Sequence, residues 1–278
     1  MLDEKQIETN WDNLITFIEN NFDGEREEGL LKLYTTYADR IATSPASGKI
    51  NYHSCYTGGY VQHVLNVIEY TNKVSKMWKS IGGRDTYTDE ELNFSALNHD
   101  LGKIGDLNYE YYVQTDEQWK IKRGQLYDFH PQLPYMAVPD RSLFWLQHFG
   151  VKITHTEYLG IKLHDGLYEE GNKSYYMTYD PRFGLRTMLP FVMHWGDMMA
   201  SKIEYEQWLA TSDGIRFMES GGSNASGIVT PIRNKKKPKT FTLEPGISSE
   251  GIDIKSFENL FGNLEVSDKD TESEKKDD

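Results

Sequence analysis

Residues 59–79 form a segment whose apolar side chains cover every side of a helix. Its apolar positions recur at helical spacing on two faces, and His63 lies among them: Val61, Val64, Leu65 and Ile68 on one face, Val67, Tyr70 and Val74 on the other. A helix that is apolar all round lies in the centre of a protein, because each of its faces must be covered by another element. The segment therefore predicts a fold in which several helices surround a central one.

Helical spacing of apolar residues recurs along most of the first 210 residues. Besides the central segment, it predicts helices over these ranges: 5–21, 27–42, 89–103, 139–149, 154–163 and about 184–209. The aromatic-rich stretch 109–129 alternates instead, and its "TDEQ" is typical of a turn, so we expect a small β-hairpin inserted between helices. Pro190 is expected either to start the last helix or to kink it. The fold class predicted is all-α with an inserted hairpin.

The composition changes near residue 211, which predicts a core over residues 1–210 and a C-terminal part over 211–278. That part contains the linker "SGGSNASG", the basic run "RNKKKPK" and a charged tail that we expect to be flexible and disordered. Between them, residues 253–265 place large apolar side chains on one side of a short helix. Two interpretations stay open for this segment: it packs back on the core, or it docks in a groove of a protein partner.

Composition excludes several classes of protein. The 278 residues contain no apolar run of eighteen, and the acidic start lacks the apolar centre of a signal peptide, so we expect no membrane span and a cytoplasmic location. The net charge of −13 disfavours binding to duplex nucleic acid, because the phosphates would be repelled. Cys55 is the single cysteine, which excludes an internal disulfide, and no helix is predicted beside it to activate it as a nucleophile.

Four polar residues interrupt the apolar helices in a way that predicts a metal site. His63 lies inside the central helix, His99 and Asp100 end the helix after it, and Asp197 is flanked by tryptophan and methionine in the last helix. An imidazole or a carboxylate in such surroundings needs a partner, and for a carboxylate that partner is a cation. Mixed nitrogen and oxygen ligands suit a divalent ion of Mn, Fe, Co, Ni or Mg, and the absence of cysteine ligands disfavours structural zinc.

Three stretches, "GGYVQHVLNV", "NHDLGKIGD" and "HWGDMMASKIE", resemble the signature of the HD-domain metal-dependent phosphohydrolases, over about residues 30–210. The resemblance implies an HD-type helical core, one or two divalent ions, and hydrolysis of phosphate esters or anhydrides, often in nucleotides. His63, His99, Asp100 and Asp197 would be the core ligands, with Asp100 also serving catalysis. The same stretches are similar to HD hydrolases of tailed phages, so that for a viral protein the expected location is the host cytoplasm.

Two-metal members of that family carry further histidines between the HD pair and the last aspartate. His130 in "DFHPQL" and His164 in "KLHDGLY" would take this role, the latter because "HDG" resembles the family's "HHG" or "HHE". His155 is a rival for the second position. His53 and His148 match no family position, and surface or structural roles are expected for both.

Other polar residues near the motifs are candidates for catalysis. Lys103, four residues after His99, would reach a phosphate, although a solvated lysine at a helix C-terminus explains it equally well. His194, one turn before Asp197, would support a ligand or carry a proton. Four more basic residues are candidates for phosphate contact, although a surface charge is the simpler explanation for each: Arg123, Lys162, Arg182 and Arg186.

Several functions remain open on these residues. The leading hypothesis is a phosphohydrolase that cleaves a small nucleotide-type substrate with a metal-activated water. Some HD-fold proteins instead hold two irons with four histidines and two aspartates and oxidise substrates with oxygen; His63, His99, His130, His164, Asp100 and Asp197 would supply that set. A 3′ to 5′ exonuclease is a third possibility, which the acidic charge disfavours. The fourth is a protein that docks on a partner and carries a regulated HD core.

Overall fold

Eleven helices and one small hairpin make up the part of the chain that the computed structural model describes, residues 2–50 and 52–219. The helices are α1 (Glu4–Asn21), α2 (Gly24–Thr36), α3 (Ala38–Thr43), α4 (Gly59–Ser80), α5 (Asp89–Asn98), α6 (Gln118–Lys122), α7 (Val138–His148), α8 (His155–Lys162), α9 (Lys173–Tyr176), α10 (Leu189–Leu209) and α11 (Ser212–Glu219). Short 3₁₀ turns lie at Leu101–Ile104, Gly166–Tyr168, Glu170–Asn172 and Pro181–Phe183. The expected all-α class with an inserted hairpin is confirmed.

Helix α4 is the central element, as its two apolar faces predicted. His63, Val64 and Val67 are buried in its middle, and α1, α3, α5 and α10 all pack against it. The helix begins after Gly58, whose φ of 82° is a conformation that glycine adopts without strain. These contacts fix α4 in the core, so that its one histidine is held away from solvent.

Helix α10 crosses α4 at a point of very close approach. Gly196 lies there, and a Cβ atom added to it would be 2.7 Å from Oγ1 of Thr71 and 2.9 Å from its Cα. Only a glycine lets the two backbones come this near. Pro190 stands in the first turn of α10, so that it starts the helix rather than kinking it. The predicted helix over about 184–209 thus begins at Leu189.

Helix α5 ends at Asn98, which is earlier than the predicted end at residue 103. Its start is fixed by a capping box between Thr88 and Glu91. After Asn98 the chain tightens into the 3₁₀ turn Leu101–Ile104, and Gly102 there packs so closely on α7 that an added Cβ would lie 2.2 Å from the carbonyl oxygen of Val138. His99 and Asp100 therefore occupy a sharp corner between two elements.

The hairpin pairs β1 (Tyr112–Gln114) with β2 (Tyr127–Phe129) in antiparallel register, Tyr112 opposite Phe129. The "TDEQ" stretch does leave the first strand, but the chain then forms α6 before it returns. Residues expected to alternate along a second strand are helical instead, and Lys120 of α6 reaches Oδ2 of Asp128 at 2.9 Å. The hairpin was correctly predicted, whereas its connection is longer than expected.

The chain divides into two units, residues 1–227 and 228–278, and every described residue belongs to the first. Helix α11 lies wholly beyond the predicted boundary at residue 210, so regular structure continues as far as Glu219. Residues 253–265, with both interpretations of that segment, lie outside the described residues. Among the helices that are described, none combines the length and the apolar character needed to cross a membrane.

Candidate metal centre

His99 and His164 are held in the same way, each by the backbone of the helix that it follows. Nδ1 of His99 donates to the carbonyl oxygen of Ala96 at 2.9 Å, and Nδ1 of His164 donates to that of Ile161 at 2.8 Å. A carbonyl oxygen only accepts, so the proton must be on Nδ1 in both rings. In the neutral form of each ring Nε2 is therefore the nitrogen without a proton, able to coordinate a metal, which is the arrangement found in metal-binding histidines.

His63 is held by a carboxylate instead of a carbonyl. Its Nδ1 donates to Glu204, whose Oε1 lies at 3.1 Å and Oε2 at 3.3 Å. The carboxylate of Glu204 is buried on α10, two helical turns after Asp197. Nε2 of His63 is thereby turned toward the same space as Nε2 of His99 and of His164.

The Nε2 atoms converge on two carboxylates. Oδ2 of Asp100 lies 3.5 Å from Nε2 of His99 and 3.7 Å from that of His63, and Oδ1 of Asp100 lies 3.6 Å from that of His164. Oδ1 of Asp197 lies 3.1 Å from Nε2 of His63 and 3.9 Å from that of His99. Five of the predicted ligands are therefore brought together, two from helices α4 and α10 and three from the corners that follow α5 and α8.

The unsatisfied atoms of this cluster fit a metal ion. Among the described residues, Nε2 of His63 and Nε2 of His99 are buried and have no assigned hydrogen-bond partner, and the nearest carboxylate oxygen to the first is Oδ1 of Asp197 at 3.1 Å. A buried polar atom without a partner is costly. Among the described residues, three sets of ligand atoms each lie within 4.8 Å of one another: His63, His99 and Asp100; His99, His164 and Asp197; and His53, His63 and Glu204. Nitrogen and oxygen donors at this spacing suit one or two divalent cations.

Charges in the cluster are arranged to hold a cation. Burial lowers the pKa of His63, but the carboxylates of Glu204 and Asp197 outweigh it and raise that pKa to about 10. His164 behaves alike: burial lowers its pKa, and Asp165 and Asp100 raise it to about 10. Since both imidazoles face carboxylates, a positive charge, whether a proton or a metal ion, is favoured between them.

Asp100 is also paired with Lys103. Nζ of Lys103 lies 2.5 Å from Oδ2 of Asp100, and the side chain of Lys103 is largely buried. Burial raises the pKa of Asp100, but the Lys103 ammonium and His99 bring it well below its usual range. The predicted alternative of a solvated surface lysine is therefore wrong, because Lys103 lies inside the site.

His130 is not brought to the cluster. It follows β2, where its ring stacks on Tyr109 with the centroids 4.8 Å apart, and its Nδ1 accepts from the backbone N–H of Gln132 at 3.2 Å. The metal-ligating sets found among the described residues do not include it. The end of the hairpin directs His130 toward Tyr109, so the structure gives no support to its predicted part in a second ion site.

His53 and Glu204 belong to the site although sequence reasoning missed them. The ring of His53 lies 4.3 Å from that of His63, and its Nε2 is buried without a partner among the described residues, so of the two roles expected for it, surface or structural, the surface role is wrong. Burial, followed by the neighbouring His63, lowers the pKa of His53 to about 3, so this ring is neutral. Glu204 could have been found by its spacing, because seven residues after Asp197 it shares a helical face with it. His53 lies in a loop, whose side-chain directions no periodicity predicts.

The remaining histidines and cysteine lie outside the cluster. His155 is exposed at the first residue of α8, which leaves His164 as the one of the two rivals in the centre. His148 is exposed on α7, as predicted. Cys55 is buried, and burial raises the pKa of its thiol to about 12, so it is not the thiolate that a nucleophile requires.

An open cleft of about 450 Å³ leads from the surface to the cluster. Besides the candidate ligands Asp100, His164 and Asp197, its described lining includes these residues: Tyr52, His53, Lys103, Val138, Asp165, Tyr168, His194, Met198, Ser201 and Lys202. Nδ1 of His194 donates to the carbonyl oxygen of His164 at 2.9 Å, so Nε2 is its accepting nitrogen. Lys103 and His194, both predicted from sequence, therefore face the cleft.

The other predicted phosphate contacts do not line this cleft. Lys162 pairs with Asp140 at 2.5 Å, Arg182 pairs with Asp180 at 2.6 Å, and Arg186 is exposed. Arg123 lies over the ring of Trp119, 5.5 Å from its centroid. These are the surface charges that the simpler explanation expected, and Lys202, which was not predicted, is the second lysine of the cleft.

The site combines buried imidazoles, two carboxylates and two lysines at the end of an open cleft, which is an arrangement able to bind a divalent cation beside an anionic ligand. Comparisons of the chain with protein-family models, with curated proteins and with solved structures gave no match to any of them.

Proposed function

We propose that this protein is a metal-dependent phosphohydrolase of the HD-domain type, acting on a small nucleotide-type phosphate ester or anhydride. One observation carries the proposal. The Nε2 atoms of three histidines are fixed toward two carboxylates by hydrogen bonds at Nδ1, and two of those Nε2 atoms are buried with no partner in the described part of the chain. The resemblance of "NHDLGKIGD" and its companion stretches to the HD signature supports the same function.

The residues around the cluster supply the rest of the chemistry. A divalent ion, when bound, lowers the pKa of a water and offsets the negative charge of a phosphoryl group. The ammonium groups of Lys103 and Lys202 line the cleft and would neutralise the outer phosphate oxygens. His194 lines the same cleft with Nε2 as acceptor, so it would take a proton from the attacking water or return one to the leaving group.

The dimensions and walls of the cleft favour a small substrate with an aromatic part. A volume of about 450 Å³ is within the range of sites that bind small molecules. Tyr52 and Tyr168 stand at the lining with their side chains mostly exposed. Such rings offer a stacking surface to a nucleobase whose phosphate reaches the metal centre.

The other hypotheses receive less support. The di-iron oxygenase was assigned His130 as its fourth histidine, and that ring stacks on Tyr109 away from the cluster; His53, the fourth histidine that is near, packs on His63 and forms a set with Glu204 and not with the two aspartates. An exonuclease must attract a polyanion, which a net charge of −13 opposes. Docking on a partner through residues 253–265 concerns a segment outside the described residues.

Metal analysis and a substrate screen test the proposed function. Purified protein would be analysed for bound metal, stripped with a chelator, and reloaded separately with Mn²⁺, Fe²⁺, Co²⁺, Ni²⁺ or Mg²⁺. Each form would then be assayed with nucleoside mono-, di- and triphosphates for release of phosphate or pyrophosphate. We expect hydrolysis that requires the metal and disappears in His99→Ala. Metal-dependent consumption of oxygen without phosphate release would instead support the oxygenase.

A further inference from the structure

Glu204 is a buried carboxylate whose partners are neutral or imidazole side chains. In addition to His63, it accepts from Oγ of Ser54 at 2.7 Å and from Nδ2 of Asn66 at 2.8 Å. Among the described residues no lysine or arginine forms a salt bridge with it, the ring of His63 being its one ion-pair partner. A buried carboxylate kept at such a place needs a reason beyond packing, because its desolvation is costly.

The first consequence of Glu204 concerns the ring of His63. Because its carboxylate accepts the Nδ1 proton at 3.1 Å, the ring can neither flip nor change tautomer without losing that hydrogen bond. Nε2 is thus kept toward Asp197 and Asp100. Carboxylates that hold the far nitrogen of a metal-binding histidine also raise its basicity as a ligand.

The second consequence concerns the loop before α4. Ser54 has a φ of 41°, in the left-handed region, and is the one described residue other than glycine with a positive φ. Such a conformation is disfavoured and persists where surrounding contacts hold it. Glu204 supplies one of these contacts at Oγ, while the Ser54 carbonyl oxygen accepts from the backbone N–H groups of Ala46 and Tyr56 at 3.1 and 3.0 Å. The held residue is adjacent to His53, whose ring packs on His63.

The carboxylate is itself fixed by a chain of amides. Asn10 donates to Gln62 at 3.0 Å, Gln62 donates to Asn66 at 3.1 Å, and Asn66 donates to Glu204. The first three residues lie on α1 and α4, so that two helices set the orientation of a side chain on a third. A carboxylate so constrained is suited to hold other groups in place.

We infer that Glu204 is a positioning residue of the metal centre. It keeps Nε2 of His63 directed at the metal and holds the His53–Ser54 corner against that ring. Although Glu204 also lies within 4.8 Å of His53 and His63 ligand atoms, both of its oxygens already accept from Ser54, His63 and Asn66, so we assign it a supporting role and not that of a ligand. This inference rests on the proposed metal-dependent function, and it adds to that function a residue that sets metal affinity.

The test compares Glu204→Ala and Glu204→Gln with Glu206→Ala, a matched change on the same helix at an exposed position. Mn²⁺ affinity of each stripped protein would be measured by calorimetry at one pH. We expect Glu204→Ala to bind Mn²⁺ about 10–100-fold more weakly than the wild type. Glu204→Gln should recover part of this loss because its amide oxygen still accepts from Nδ1 of His63, and Glu206→Ala should bind as the wild type does.

Hydrogen exchange of the amides in residues 52–58 provides a readout that needs no metal. We expect faster exchange there in Glu204→Ala than in Glu206→Ala, at equal melting temperature within a few degrees. Unchanged Mn²⁺ affinity in Glu204→Ala overturns the inference while leaving the proposed function intact. Equal losses in the Ala and Gln variants, in step with lower melting temperatures, overturn it by showing a purely structural role. A wild type that binds no Mn²⁺ or other divalent ion overturns the proposed function, and the inference with it.

Discussion

Lys103 and Asp100 form an ion pair across the 3₁₀ turn that follows α5, with Nζ 2.5 Å from Oδ2. The same carboxylate oxygen lies 3.5 Å from Nε2 of His99, so the lysine and the histidine share one side of Asp100. Lys103 also lines the cleft. It is thus placed both to keep Asp100 ionised and to meet an anionic group that enters.

Replacement of Lys103 by Met should lower catalysis more than metal binding. The variant loses the ammonium that faces the cleft, while the histidines and both aspartates remain in place. We expect kcat/KM to fall by about 10²–10³, the usual effect of removing one preorganised charge-stabilising group. The measurement is steady-state kinetics together with metal analysis. Lys152→Met is the matched control, since Lys152 is exposed and pairs with an exposed glutamate; equal kinetics in the two variants would contradict a role in the cleft.

Asp100→Asn should remove most of the bound metal. The amide keeps the size of the side chain but has no negative charge, and only one of its two terminal atoms can accept or coordinate. Because the core of apolar side chains is unchanged, we expect the helical circular dichroism spectrum to be retained. Metal analysis after dialysis checks this, with exposed Asp12→Asn as control. Full metal content in Asp100→Asn would show that this residue is not a ligand.

His155, which begins α8, and His164, which lies two residues after its end, offer a matched pair. His164 is buried with Nε2 3.6 Å from Oδ1 of Asp100, whereas His155 is exposed at the first residue of α8. We therefore expect His164→Ala to lower divalent-metal affinity about 10-fold or more, as loss of even a supporting group at a metal site commonly does, and His155→Ala to leave it unchanged. Titration of the stripped variants with Co²⁺, followed by its visible absorption, measures both. The reverse order of affinities would reassign the position.

Part of this site could be predicted from the sequence because helices impose a period. The apolar faces of α4 predicted a buried His63, and the end of an apolar run placed His99 and Asp100 at a helix terminus. Asp197 and Glu204, seven residues apart, lie on one face of α10, so the same reasoning extends to a residue that was overlooked. Wherever the ligand is carried by a helix, spacing alone indicates the side on which it lies.

Prediction was weaker where a loop or turn directs the side chain. His130 follows a short strand, and local packing turns it onto Tyr109 rather than toward the cluster. His53 is directed by a corner in which Ser54 has a positive φ, a conformation that no residue pattern in the loop indicated. α5 ends early where the chain turns so that Gly102 packs closely on α7, which is a tertiary contact between distant parts of the chain.

Metal affinity should rise with pH through the neutral range. Burial lowers the pKa of His63 and of His164, but neighbouring carboxylates outweigh it and raise both to about 10. In the metal-free protein at pH 7 both rings therefore carry a second proton, on Nε2, and a positive charge. A divalent ion must displace those protons to reach Nε2, and lower pH therefore weakens binding. Calorimetry of Mn²⁺ binding between pH 6 and pH 9 in buffers of different ionisation enthalpy measures affinity and proton release together. Binding that is independent of pH, with no proton released, would contradict this protonation state.

Gly196→Ala should weaken both the fold and the metal centre, because it pushes apart α4, which carries His63, and α10, which carries Asp197. An added Cβ would lie 2.7 Å from Oγ1 of Thr71 and within 3.0 Å of its backbone, so α10 must move away from α4. Overpacking of this kind typically costs about 1–3 kcal/mol of the free energy of unfolding. The shift would also change the 3.1 Å approach of Asp197 to His63, and metal affinity should fall with stability.

The control for Gly196→Ala is Gly171→Ala, in an exposed 3₁₀ turn where the added Cβ meets only Oε1 of Glu169, at 3.6 Å. Urea unfolding of the metal-free proteins isolates the packing effect from any stabilisation by bound metal, since a ligand that binds only the folded state adds to its stability. Metal titrations of the same two variants then show whether the ligands have moved. If Gly196→Ala unfolds at the same urea concentration as Gly171→Ala, the close crossing of α4 and α10 does not exist as described, and the distance between His63 and Asp197 must be set by other contacts.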